Sequence, residues 1–167
     1  MKRPVTLSIA GFDPSAGAGV LADIKAFEQN GVYGMGVVSA LTFQNDTEFD
    51  GVEWVSAGKI IRQVEVLLRK FAIRHFKIGL IESIEVLQEV VKYLRGRVSE
   101  PVIVWDPILK ASAGFVFHEG GAVLPQGLSE SLYCITPNIP EAVQIFGEDG
   151  LNEKLEAASE HLNIYLK

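Results

Sequence analysis

The sequence holds a single cysteine, Cys134, so no disulfide can form within the chain. That predicts a reducing compartment, the cytoplasm. Basic charge is also short: 15 Lys and Arg stand against 21 Asp and Glu, a formal charge of -6. Such a chain has no basic footprint for nucleic acid, which is therefore not an expected partner. An acidic total does not exclude a phosphorylated ligand, because helix N-termini bind anions locally. No apolar run reaches the ~18 residues of a membrane span, so no membrane partner is expected. The first apolar segment begins at about Val5, which on this reading leaves no room for a signal peptide. The three histidines, His75, His118 and His161, are far apart and lack the spacing of a zinc site. Repeats, low-complexity stretches and linkers are absent.

What remains is an ordinary globular composition. The chain has 167 residues, 48% hydrophobic and 22% charged, enough for one domain with a real core. Short apolar runs alternate with helical periodicity. Val5–Ala10, Met35–Thr42, His75–Ile78, Val102–Trp105 and Leu132–Ile135 read as strands, and Asn163–Leu166 begins a sixth. Ala18 to Asn30 reads as a helix stopped by Gly31. Ser56 and Ser83 are candidate N-caps of two further amphipathic helices. Helices are also predicted over Pro140–Phe146 and Glu153–Leu162. This order predicts an α/β fold: a mostly parallel central sheet with helices on both faces. Lys167 follows the last apolar residues at once. A complete domain usually ends on a helix or a surface tail, so residues 1–167 are expected to be the N-terminal portion of a single longer domain.

In such folds ligands bind beyond the C-terminal ends of the strands. Polar or glycine-rich chemistry follows five of them: Gly11-Phe-Asp13, Phe43-Gln44-Asn45, Gly79 to Glu82, Asp106-Pro107 and Thr136-Pro-Asn138-Ile-Pro-Glu141. The glycine-rich loop from Gly11 to Gly19 can present N–H groups to an anion, or bring backbone close to a flat ligand; it is equally a plain strand-to-helix turn. Gly17-Ala-Gly19-Val-Leu-Ala22 fits a dinucleotide pattern poorly, and no P-loop lysine follows. Asp23 lies beside the apolar stripe of its helix, either as a solvated carboxylate or as an acceptor for a substrate hydroxyl. The Gln44 amide offers a donor and an acceptor, matching an aminopyrimidine edge or simply a loop backbone. Asp106 suits magnesium or an Asp-Pro turn. Asn138 and Glu141, three apart, suit a hydrated magnesium or a capping box. Cys134, in an apolar strand, is expected to be a small core residue.

Taken together these segments resemble the hydroxymethylpyrimidine/phosphomethylpyrimidine kinase family of thiamine biosynthesis, within the ribokinase superfamily. The stretch Leu7 to Phe27 is close to that family's signature, and Ala40-Leu-Thr-Phe-Gln-Asn45, Lys77-Ile-Gly79, Asp106-Pro107 and Thr136 to Glu141 follow it in turn. The resemblance implies a ribokinase-like fold, ATP and magnesium as cofactors, a small pyrimidine as substrate and a homodimer for the full-length protein. It implies that Gly11, Ala18, Asp23 and Gln44 line the pyrimidine site, with Leu80 where methionine is usual. It places Asp106, Asn138 and Lys167 toward ATP and phosphate, and Glu141 toward the metal. Lys110 lies in the departing segment Ile108–Gly114 and receives no role. Lys167 resembles the lysine opening a Lys-Gly-Gly-His segment. The catalytic anion hole is then expected beyond it, and residues 1–167 alone are expected to be inactive. Pyridoxal kinase of the same superfamily, a non-catalytic small-molecule binding module and a nucleotide-dependent oxidoreductase are the competing readings.

Overall fold

The computed structural model describes residues 3–110, 117 and 124–167. The elements run β1 (Val5–Phe12), α1 (Gly19–Gln29), β2 (Tyr33–Gln44), β3 (Phe49–Trp54), α2 (Ala57–Leu68), β4 (His75–Ile78), α3 (Ile84–Arg97), β5 (Val102–Trp105), α4 (Gln126–Ser129), β6 (Cys134–Ile135), α5 (Ile139–Phe146), α6 (Leu151–Ser159) and β7 (Asn163–Ile164). They form one sheet in the order β3-β2-β1-β4-β5-β6-β7. All neighbours are parallel except the antiparallel β2–β3 pair at one edge.

The predicted α/β architecture is present, with two elements more than the sequence suggested. The strand β3 was not expected: Asp50, Gly51 and Glu53 are poor strand formers. Its pairing with β2 and the edge-on packing of Phe49 and Trp54 against Phe117 hold it in place. The one-turn helix α4 was also not expected, and the predicted strand over Leu132–Ile135 is confined to Cys134–Ile135.

Strand alternation assigns the two faces. Leu7, Ile9, Met35 and Val37 join the main core with Ile60 and Val64 of α2 and with Leu87, Val90 and Leu94 of α3. The intervening residues of β1 and β2 face α1. There the helix lies so close that a Cβ on Gly36 would sit 2.4 Å from a Val20 methyl. Helix α3 starts as expected, with the Ser83 hydroxyl accepting from the Val86 N–H. Ser56 occupies the N-cap of α2 as expected, although its side chain makes no capping bond. Gly31 ends α1 with a φ of 73°.

One irregularity lies next to the site. The β1–β2 register slips between Ala10 and Gly11, so Ser39 is the extra residue of a bulge. Its buried hydroxyl donates to the Leu80 carbonyl at 2.5 Å and ties β2 to the segment after β4.

Candidate active site

The loop from Phe12 to Gly19 is organised by its own carboxylate. Asp13 is 4% exposed. It accepts from the Ser15 N–H and hydroxyl, both at 2.8 Å, the Gly17 N–H at 3.1 Å and the Ala18 N–H at 2.9 Å. Burial pushes its carboxyl up. The bonds from the Ser15 hydroxyl and the N–H groups of Ser15, Ala18 and Gly17 outweigh that and hold it below its ordinary value. The N–H groups predicted to face an external anion are therefore spent internally. The loop forms a tight strand-to-helix turn that brings the small residues Gly11, Ala18 and Gly19 to the cleft wall. Gly19 makes this possible: its φ is 60°, and a Cβ there would lie 2.1 Å from the Gly11 carbonyl oxygen.

Beyond the loop, the strand ends enclose a cleft of about 420 Å³. Its walls include every residue the sequence proposed for binding: Gly11, Ala18, Asp23, Gln44, Leu80, Asp106, Asn138, Glu141 and Lys167. Glu82 is exposed and Asn45 closes a turn by accepting from Thr47 and Glu48, so these two rim residues take no part. The Gln44 amide donates to the Thr42 hydroxyl at 2.9 Å, and Thr42 in turn donates to the Phe12 carbonyl at 2.8 Å. That fixes the amide's orientation and leaves its carbonyl oxygen without a partner among the described residues.

Charge crosses the cleft floor in alternation. Asp23 accepts from the Ser8 hydroxyl and from Lys77 Nζ at 2.9 and 3.1 Å. Lys77 Nζ lies 3.6 Å from Asp106. Asp106 also faces Lys167 Nζ at 2.5 Å and accepts from the Thr136 hydroxyl at 3.2 Å. Lys167 Nζ lies 4.0 Å from Glu141. Glu141 forms the predicted capping box: Asn138 Oδ1 accepts from its N–H at 2.9 Å, and its carboxylate accepts from the Asn138 N–H at 2.8 Å. The two residues of the capping box thus also line the cleft. Burial pushes the Glu141 carboxyl up, with the Asp106 charge adding to it; the Asn138 and Leu109 N–H groups and the Lys167 ammonium oppose this without cancelling it.

Among the described residues, no three His, Cys, Asp or Glu side chains converge as a metal cage. The donor set of Asp106 and Glu141 instead fits magnesium carried on phosphates and water. His75 is exposed, and the His161 Nε2 lies 3.0 Å from the Ser129 hydroxyl. His118 and the Ala111–Gly114 stretch lie outside the described residues. Cys134 is half-buried rather than a full core residue, and burial raises its thiol. No helix among the described residues is long and apolar enough to cross a membrane.

Among the polar lining residues, Thr42 and Lys77 enter the sequence reading only within motifs, and Lys110 receives no role there. For Lys77 a signal existed. A parallel strand buried on both faces is nearly all apolar, and Lys77 interrupts β4 between the buried Phe76 and Ile78.

Residues 13–166 match the model of the phosphomethylpyrimidine kinase family. The hydroxymethylpyrimidine/phosphomethylpyrimidine kinase of Aquifex aeolicus is 34% identical over 147 residues, which cover 87% of this chain and 57% of that protein. The chain thus spans little more than half the length of this relative. A crystal structure of phosphomethylpyrimidine kinase from Clostridium difficile superimposes with a TM-score of 0.79 at 32% identity, over 99% of this chain and 75% of the other. The pyridoxal kinase of Staphylococcus aureus in complex with ADP shares the fold, with a TM-score of 0.75 at 22% identity over the whole of this chain and 64% of its own.

Proposed function

The chain belongs to the phosphomethylpyrimidine kinase family, and we propose that it serves the ATP- and magnesium-dependent phosphorylation of hydroxymethylpyrimidine and its monophosphate in thiamine biosynthesis. The observation that carries this reading is the convergence of two kinds of chemistry in one cleft. Gln44, Asp23 and Leu80 line it together with Asp106, Asn138, Glu141 and Lys167, and Lys77 joins the Asp23 and Asp106 carboxylates.

Each residue then has a task set by its surroundings. The Gln44 carbonyl accepts from the ring amino group, its orientation held by Thr42. Leu80, itself buried, packs against the ring face, with Gly11 leaving room beside it. Asp23 accepts the O–H of the hydroxymethyl group and orients its oxygen. Asp106 and Glu141 would hold the metal, and Lys167, which lies between them, would meet phosphate charge. Bound ATP and magnesium supply the phosphoryl group and screen its charge. Most of the rate advantage in such transfers comes from positioning and charge stabilisation rather than covalent chemistry by the protein.

A coupled assay for ADP release, with hydroxymethylpyrimidine, phosphomethylpyrimidine and pyridoxal as acceptors, tests the proposal. Turnover on both pyrimidines is expected of the full-length protein. Clear preference for pyridoxal moves the chain to the cousin activity. Tight NADH binding without kinase turnover sinks the reading altogether.

A further inference from the structure

Lys77 is an expensive residue in an unusual place. It lies in the middle of β4 and projects toward α1, where Gly79 leaves space: a Cβ on that glycine would sit 3.0 Å from the ammonium. Both Asp23 oxygens are within 3.1 Å of it. Side-chain exposure is 24% for Lys77 and 19% for Asp23, so both charges are largely removed from water. If Asp23 only received an alcohol O–H, this neighbour would hinder it. An ionised carboxylate has about four lone-pair sites. Two ammonium contacts and the Ser8 hydroxyl already compete for them.

We infer that Lys77 is the specificity residue that lets this cleft accept an anionic phosphate ester in the place where it also accepts a neutral alcohol. The inference rests on the pyrimidine kinase reading above, in which the acceptor arrives in both forms. A phosphate monoester carries a charge of about -1.5 to -2 near neutral pH. Placed where the alcohol oxygen meets Asp23, it faces a carboxylate of like sign. Among the described residues the cations lining the cleft are Lys77, Lys110 and Lys167. Lys167 is engaged with Asp106, and Lys110 is exposed. Of these three cations, Lys77 alone is paired with Asp23. Its ammonium has three donors on a flexible stem, and it sits between Asp23 and Asp106. Turning from Asp23 to an ester oxygen exchanges one charge-assisted bond for another. The alcohol is thus held by Asp23 and the ester by Lys77.

Calorimetric titration of the full chain with hydroxymethylpyrimidine and with phosphomethylpyrimidine tests this. The wild type is expected to bind both. Lys77→Met is expected to weaken the monophosphate about tenfold to a hundredfold more than the alcohol, the range for a lost bond to a charged group. Lys77→Arg should restore monophosphate binding to within a few-fold. Lys77→Gln keeps donors for Asp23 without the charge, and takes the place of Lys77→Met if that variant does not fold. Equal weakening of both ligands makes Lys77 a structural partner of Asp23 and overturns the inference alone. Selective loss in Lys110→Met instead assigns the role elsewhere and overturns it too. A wild type that binds neither pyrimidine overturns this inference and the kinase reading together.

Discussion

Replacing Asp13 with alanine removes the one acceptor shared by four donors at the entrance to α1. The carboxylate is buried, so water does not readily take its place. A bond to a charged group contributes about 1.5–3 kcal/mol, and such terms are not additive when one group makes them all. A loss of about 3 kcal/mol is therefore expected. For a chain of this length that lowers the melting temperature by about 6–12 °C. Asp13→Asn keeps one oxygen and should fall between alanine and the wild type. The pH dependence has a definite sign. The native carboxyl is held below its ordinary value, so its contribution is fully present above the unfolded value of about 3.9 and fades as pH falls through the native one. The gap between wild type and Asp13→Asn should be wide at pH 7 and narrow below about pH 4. Scanning calorimetry across that range measures both effects. Melting of Asp13→Ala within about 2 °C of the wild type at pH 7 refutes the account of the loop.

Further substitutions probe the remaining parts. Gly19→Ala forces a side chain against the Gly11 carbonyl at positive φ; it should lower the melting temperature by several degrees or prevent folding, and unchanged melting shows that the loop gives way. Asp23→Asn and Gln44→Ala should each raise the KM for hydroxymethylpyrimidine by about five- to a hundredfold, the equivalent of ~1–3 kcal/mol, with the KM for ATP nearly constant; a loss confined to ATP would assign them to the nucleotide instead. Glu141→Gln retains an acceptor for the Asn138 N–H and sheds a carboxyl whose native value is raised, a group that favours folding below its unfolded value and loses that contribution as pH rises through the native one. Melting at pH 7 should therefore equal or exceed the wild type while magnesium-dependent turnover falls. A drop in melting as large as that of Glu141→Ala would reduce Glu141 to a helix cap.

The parallel strands and long helices were legible because their signals are local. Leu87, Val90, Val91 and Leu94 repeat at the helical period and are all buried on α3. The strand β3 was not legible, because Asp50-Gly51 and Glu53 argue against a strand and only pairing with β2 and contact with Phe117 override them. At the site, residue type and position after a strand were enough to collect Gln44, Asp106, Asn138 and Glu141. The partner of each side chain was not, since it depends on which strand lies next to which. Lys77 meets Asp23 across 54 positions and Lys167 meets Asp106 across 61. The role of Asp13 was hidden for the opposite reason. Its donors lie within five residues, but a Gly-rich loop before a helix is compatible both with an external anion and with an internal one.

The polar residues on the α1 side of the sheet carry the strongest physical case for a site. Ser8 on β1 is fully buried, and Lys77 on β4 and Asp23 on α1 are partly buried, where β1 and β4 otherwise present Leu7, Ile9, Phe76 and Ile78 to the core. Replacing a buried ion pair with packed apolar side chains is often neutral or stabilising. A sheet selected for stability alone has no need of this row of charges. The row also ends where the fold predicts a ligand, beyond the C-terminal ends of β1, β4, β5 and β6. Its signs alternate from Asp23 through Lys77, Asp106 and Lys167 to Glu141. Each carboxylate is kept within reach of a cation, and each lysine has an anion on either side that an incoming phosphate can displace. Such a floor receives an added negative charge by exchanging partners rather than by importing new ones, which is what the proposed function, with a phosphate donor and a phosphorylated acceptor, would require.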